Sequence, residues 1–210
     1  KALAEKFHFP LVGGDTTKGP LTISLQVHGL ISKGKALLRS GARAGDIVAV
    51  TGTLGDAGAA LSILDRVDDG LLTDSQSFLL NRYYYPSPRI KQGLQLQLLA
   101  SACIDISDGL LADASHIAEK SKVELEIDSE SLPLSEALLA EQEGNAGGFA
   151  LSAGDDYELL FTMSEPNWVM LNKQKTPNIY TKIGRVNEGD GVVVKNNIKN
   201  SKSMGYKHFE

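Results

Sequence analysis

Cysteine appears once in these 210 residues, at Cys103. A single thiol rules out a disulfide framework within the chain and any site built from clustered thiolates. Its apolar surroundings read as those of a small buried residue rather than a nucleophile, and a reducing, cytoplasmic home fits. No apolar run approaches the length of a membrane span. No Lys/Arg cluster interrupts a net charge of −5, so nucleic acid and anionic membranes are poor partners. The four histidines (His8, His28, His116, His208) are scattered without metal-ligand spacing and read as structural or exposed. Repeats and low-complexity stretches are also missing. An acidic chain that handles phosphate must therefore recruit its own local cations.

What remains is an ordinary globular composition, 42% hydrophobic and 22% charged, enough for one large domain or one and a half. The chain starts at Lys1 in what reads as mid-helix (Ala2, Leu3, Phe7), which suggests a piece of a longer protein. Residues 21–28 alternate, predicting a half-buried strand with Leu21, Ile23, Leu25 and Val27 inward. Ser32-Lys33-Gly34-Lys35 is a polar turn and the expected domain boundary. Residues 47–51 predict a buried strand, and residues 52–58 open a helix. Ser87-Pro88 predicts a helix start, with that helix running to about Ser101. A second helix is expected from about Ser107 to Ser121. Strands are expected at 123–128, 157–163, 179–186 and 192–195. Short helices are expected near 135–143 and 166–173, with a Gly-rich loop at 144–148. Without a strict βαβ rhythm this reads as α+β rather than a doubly wound sheet.

Three acidic, glycine-bearing segments carry the chemistry. In Ile104-Asp105-Ile106-Ser107-Asp108-Gly109-Leu110 the two aspartates are three apart, so on a first helical turn they point the same way and repel unless a cation sits between them. Hard oxygens of this kind suit magnesium, and a helix start also receives phosphate. Plain helix capping is the competing reading. In Gly13-Gly14-Asp15-Thr16-Thr17-Lys18-Gly19 small residues let backbone N–H groups approach an anion, with Asp15 as a metal ligand. That loop is not a Walker A motif, and a simple glycine turn is the alternative. In Asp155-Asp156-Tyr157-Glu158 alternation puts Asp155 and Tyr157 on one face and Asp156 and Glu158 on the other. One acidic side can then meet a cationic or amine-bearing substrate while the other anchors the loop. Arg39, in a loop after the boundary, can stabilise charge moving between phosphates, although surface arginines are common. Asp56 reads as a helix cap, and Tyr206 either stacks on a substrate ring or pins the terminus.

These segments occur in order with Leu38-Arg39-Ser40-Gly41-Ala42, Val50-Thr51-Gly52-Thr53-Leu54-Gly55-Asp56, Ser87-Pro88-Arg89, Gly154-Asp155-Asp156-Tyr157-Glu158-Leu159 and the closing Gly205-Tyr206-Lys207-His208-Phe209. The ordered set resembles the thiamine-monophosphate kinase family, within the superfamily of aminoimidazole ribonucleotide synthetase, selenophosphate synthetase and hydrogenase maturation proteins. The resemblance implies direct in-line transfer of the ATP γ-phosphoryl to thiamine monophosphate, giving thiamine diphosphate. It implies Asp15, Asp105 and Asp108 as magnesium ligands, and Gly14, Asp15, Arg39 and Ser107 at the nucleotide. Asp155 and Tyr206 are implied at the thiamine moiety, with Arg39, Asp105 and Asp108 serving catalysis.

The implied fold is the synthetase-like C-terminal α/β sandwich domain over residues 34–210. Residues 1–33 are then the last helix and strand of a truncated N-terminal ATP- and metal-binding domain. A homodimer is implied for the full-length protein, and the 1–210 piece alone is expected to be inactive. The family usually has Glu where this chain has Asp155, one methylene shorter. Two alternatives stand beside the kinase: another ATP-dependent synthetase of the superfamily acting on a purine precursor, and a non-catalytic nucleotide- or metal-binding module.

Overall fold

The computed structural model describes residues 2–64, 71–173 and 179–196. The chain divides into two compact units, Lys1–Ile31 and Ser32–Glu210.

In the first unit, helix α1 (Ala2–Phe7) buries none of its residues. The expected strand at 21–28 is not formed: the segment has no regular structure, and Leu21, Ile23, Leu25 and Val27 are 81 to 95% exposed. Alternation makes a segment able to be a strand, but a strand exists only where a neighbour supplies the other half of its hydrogen bonds. All six strands of the sheet lie between Ile47 and Lys195.

The second unit is built on that sheet. Its strands are β1 (Ile47–Thr51), β2 (Ala102–Asp105), β3 (Glu124–Asp128), β4 (Leu159–Met163), β5 (Tyr180–Asn187) and β6 (Gly191–Lys195), in the order β2-β4-β1-β5-β3-β6. Pairing is antiparallel except for β3 with β6. This is the α+β architecture expected. Central β1 is buried throughout. Val48 and Val50 join one core, together with Ile104, Leu125, Ile127, Leu160 and Ile183. Ile47 and Ala49 join the opposite core with Cys103, Phe161, Met163 and Tyr180. Both faces of the sheet are therefore covered, which is why β1 reads as a continuous apolar run rather than an alternation.

Helix α5 (Leu110–Ser121) packs on the first face because Leu110, Ala114, Ile117 and Ala118 fall on one stripe. Burying Leu110 and Ile117 there contributes about 1.5–3 kcal/mol each. Helices α2 (Asp56–Leu61), α3 (Asp74–Tyr84) and α6 (Glu136–Glu141) share a third apolar cluster around Leu79, Leu80 and Leu138. Helix α4 (Ile90–Leu96) contributes Leu96 to the second core, as α8 (Glu165–Lys173) contributes Leu171. A short helix, α7 (Ala146–Ser152), contributes Ala150 and Leu151 to the first core.

Several expectations are corrected. Helix α4 starts at Ile90 and stops at Leu96, leaving Ser87-Pro88 in the connection before it. Strand β2, which was not expected, fills the gap between the two expected helices, and its short apolar run takes the extended state because β4 offers it an edge. The Gly-rich stretch expected as loop starts α7, so Gly147 and Gly148 are helical. The strand expected from Tyr157 begins at Leu159, since Asp155 and Tyr157 sit at φ 66° and 51°, outside extended backbone.

Candidate active site

The Asp105–Asp108 segment is not a first helical turn. Asp105 ends strand β2, exposed, and Ser107 and Asp108 form a bend before α5 starts at Leu110. The bend is sewn to the 154–158 loop by backbone hydrogen bonds. Ile106 N–H donates to the Glu158 carbonyl at 2.8 Å, Tyr157 N–H to the Ile106 carbonyl at 2.9 Å, and Asp155 N–H to the Ser107 carbonyl at 2.9 Å. Such close apposition needs glycine on both sides. A Cβ on Gly154 would collide with the Ser107 carbonyl, and one on Gly109, at φ +113°, would lie 2.6 Å from the Ser152 carbonyl. The Ile104–Leu110 and Asp155–Glu158 segments are thus brought together.

Asp113, 2% exposed on α5, closes the bend from the other side. Its Oδ2 accepts the N–H groups of Ser107 at 3.0 Å and Asp108 at 3.1 Å. Burial pushes the Asp113 carboxyl above its ordinary range; its two N–H partners pull it down, and the nearby charges of Asp108 and Asp105 push it up again. Asp108, Asp113 and His116 bring one ligand atom each within 4.8 Å of one another. Carboxylates crowded at one bend form a donor set with the chemistry for a hard divalent cation. Sequence reading counted His116 among the structural or exposed histidines and gave Asp113 no role.

Arg39 shares a cleft with Asp105, the last residue of β2. Leu38 accepts a hydrogen bond from Cys103 N–H at 2.8 Å, along the edge of β2. The Ser121 hydroxyl, at the end of α5, accepts from Gly41 and Ala42 N–H and donates to the Arg39 carbonyl at 3.3 Å. Leu38, Arg39, Ile104, Asp105 and Leu159 line a cleft of about 470 Å³. Cys103, also in its wall, is buried, and burial pushes its thiol up to about 12. It is no nucleophile.

The 155–158 alternation holds even though the backbone is not a strand. Glu158 is fully buried and accepts from Arg89 through both Nε (2.6 Å) and Nη2, from Arg82 Nη2 at 3.0 Å, and from the Thr51 hydroxyl at 2.6 Å. That hydrogen bond to Glu158 holds the Arg89 guanidinium above its ordinary range. Asp156, also buried, accepts from Gly55 N–H at 2.7 Å and Ala57 N–H at 3.4 Å, and burial pushes its carboxyl up to about 7. Asp56 is therefore not the α2 cap. It lies inside the helix, buried, accepting from the Thr53, Ser135 and Arg82 side chains. Asp155 and Tyr157 face the other way, joined by a Tyr157 hydroxyl hydrogen bond to Asp155 at 2.9 Å. Sequence reading gave Glu158 no partners, because Arg82 and Arg89 come from 76 and 69 residues away.

Asp105, Ser107, Asp108 and Asp155 thus lie on two joined segments of the second unit, and Arg39 lines a cleft with Asp105. Gly14 and Asp15 lie in the first unit on an exposed loop, where Asp15 accepts a hydrogen bond from Thr16 N–H at 2.8 Å. Tyr206 and the closing motif lie outside the described residues.

Residues 43–196 match the family described as AIR synthase related protein, C-terminal domain. The chain is similar to the thiamine-monophosphate kinase of Salmonella typhimurium, 45% identical over 79% of this chain and 51% of that protein. It is also similar to the enzyme of that name from Buchnera aphidicola of Acyrthosiphon pisum, 37% identical over 99% of this chain and 66% of that protein. Among solved structures, AaThiL complexed with AMPPCP and TMP superposes with a TM-score of 0.72 at 41% identity, covering 82% of this chain and 54% of that one. The chain spans about half the length of the Salmonella relative.

Proposed function

This chain belongs to the AIR synthase related family through its C-terminal domain, and from that premise we propose that the protein carrying it transfers the γ-phosphoryl group of ATP to thiamine monophosphate, giving thiamine diphosphate. Its relatives carry the name of that activity, and the related AaThiL was solved with AMPPCP and TMP. The observation that supports the reading is the pair of sewn loops, which joins the segment of Asp105, Ser107 and Asp108 to the backbone of Asp155.

In this reading Asp105 and Asp108 hold magnesium; Asp15 is likewise read as a metal ligand and Gly14 as a nucleotide contact. Magnesium bound to these carboxylates would neutralise the charge of the nucleotide phosphates. Ser107 hydrogen-bonds the nucleotide. Arg39 sits over transferring phosphate oxygens, where a fixed guanidinium stabilises charge with no reorganisation. Asp155, with Tyr157 as its hydrogen-bond partner, meets the cationic thiamine moiety, and Tyr206 stacks on it. No residue of the site acts as a covalent nucleophile, so transfer is direct and in line. Residues 1–33 form one functional segment and 34–210 the other. The protein works in the cytoplasm as a homodimer. Among the described residues no helix is long and apolar enough to cross a membrane.

The test is to incubate the full-length protein with ATP, magnesium and thiamine monophosphate and follow thiamine diphosphate by chromatography. Thiamine diphosphate formed in step with ADP supports the kinase. ADP formed only with a purine precursor would move the protein to the synthetase reading. ATP bound without turnover would make it a binding module.

A further inference from the structure

We propose that Asp113 is the positioning residue of this site, fixing the bend that carries Ser107 and Asp108 without itself touching nucleotide or metal. The proposal rests on the assignment of that bend to nucleotide and metal binding. Asp113 is the fourth residue of the helical run after Gly109, and its own N–H is used in the helix, donating to the Gly109 carbonyl at 3.0 Å. Its side chain is spent outside the helix, on two consecutive N–H groups of the bend. An ordinary cap sits before the first turn and satisfies the helix's own N–H groups. Asp113 reaches back from within it to residues that are not helical.

The arrangement is costly if packing were its only purpose. A carboxylate 2% exposed is spent on the backbone of a bend outside its own helix, and burying a charge is unfavourable unless donors meet it. Among the described residues the bend meets it with two N–H donors, and His116 lies one turn along the helix. What the carboxylate accomplishes is geometric. Ser107 is gripped through its N–H by Asp113 and through its carbonyl by Asp155 N–H, so the bend is clamped between α5 and the 154–157 loop. Both peptide groups flanking the Ser107 side chain are then fixed, and Asp108 follows. Shortening or removing Asp113 frees the two N–H groups and lets the bend rotate away from the direction in which its oxygens converge.

The test uses the full-length protein as wild type, Asp113→Asn and Asp113→Ala. Three quantities are read: Mn²⁺ affinity by electron paramagnetic resonance, the half-saturating magnesium concentration for turnover, and amide hydrogen exchange at Ser107 and Asp108. Asn keeps an oxygen able to accept both N–H groups; Ala does not. For Asp113→Ala the expected result is Mn²⁺ affinity about tenfold weaker, a similar rise in half-saturating magnesium, and lost protection at both amides. Asp113→Asn is expected to bring all three back to within about threefold of wild type. Asp113→Ala with unchanged Mn²⁺ affinity and only a lower Tm would overturn the proposal by making the residue merely structural. Asp113→Asn as weak in Mn²⁺ as Asp113→Ala, with amide protection intact, would overturn it by making the carboxylate itself a ligand. A wild type without kinase turnover refutes the assigned reaction, while Mn²⁺ binding and amide exchange still decide the role of Asp113.

Discussion

Alternate residues of one tetrapeptide, Asp155-Asp156-Tyr157-Glu158, meet opposite environments. Asp156 and Glu158 turn inward, where Gly55, Ala57, Thr51, Arg82 and Arg89 supply every donor they accept from. Asp155 and Tyr157 turn toward the Ser107 bend, partly or well exposed, hydrogen-bonded through their side chains to each other. The inner pair is held by the fold: two guanidiniums and a hydroxyl engage Glu158, and two N–H groups engage Asp156, whose burial still pushes its carboxyl up to about 7. On the outer side Asp155 adjoins the bend that carries Asp105 and Asp108. Buried acids gripped by distant donors mark the scaffold, and partly exposed acids gathered at one bend mark the working surface.

The sharpest way to break this comparison is from the inside. Glu158→Gln removes the charge partner of Arg89 and leaves Arg82 with Asp56 alone, at a site where the Glu158 side chain is 1% exposed, and should cost about 3–5 kcal/mol in chemical denaturation. A stability unchanged within error would show that the inner pair is not the scaffold. Next in size, Arg39→Ala should reduce turnover about 10²-fold while leaving Tm unaltered, because Arg39 is exposed. A matching fall in Tm would put Arg39 on the scaffold side.

A subtler test uses pH. The Asp156 carboxyl lies near 7 in the folded protein, above its ordinary unfolded value, because burial disfavours its charge. The folded state therefore binds more protons than the unfolded state between the two values. Asp156 contributes stability at low pH that is lost as pH rises from about 4 to about 7. In Asp156→Asn the difference in Tm from wild type should lose that slope, which thermal melts across the range would detect. Smallest of all, Asp155→Glu adds one methylene on the outer side and should change KM for the phosphate acceptor by less than about tenfold, with kcat and Tm held. A collapse of kcat would mean that Asp155 does more than hold substrate.

How far this division could be read in the sequence depends on range. The two-residue alternation of 155–158 sorted anchors from outward groups correctly, although φ 66° at Asp155 and 51° at Tyr157 show that no strand underlies it. β1 was legible as four apolar residues and a threonine, all buried. Strand β2 was not, since Ala102 to Asp105 is too short to carry a period and takes its conformation from β4, more than fifty residues on. Residues 21–28 err in the opposite direction, with a clean period and no strand. The arginine partners of Glu158 and the reach of Asp113 back to its bend are set by tertiary contact. Composition and spacing do not encode which arginine arrives.

The central claim is that the carboxylates of the Asp105–Asp108 bend serve chemistry rather than folding. One paired measurement on Asp108→Asn in the full-length protein tests it: thiamine diphosphate formed per enzyme, and Tm, on the same preparation. The account predicts turnover down by about 10²-fold or more, with Tm held at the wild-type value. Turnover retained, or lost only in proportion to a fall in Tm, would contradict it.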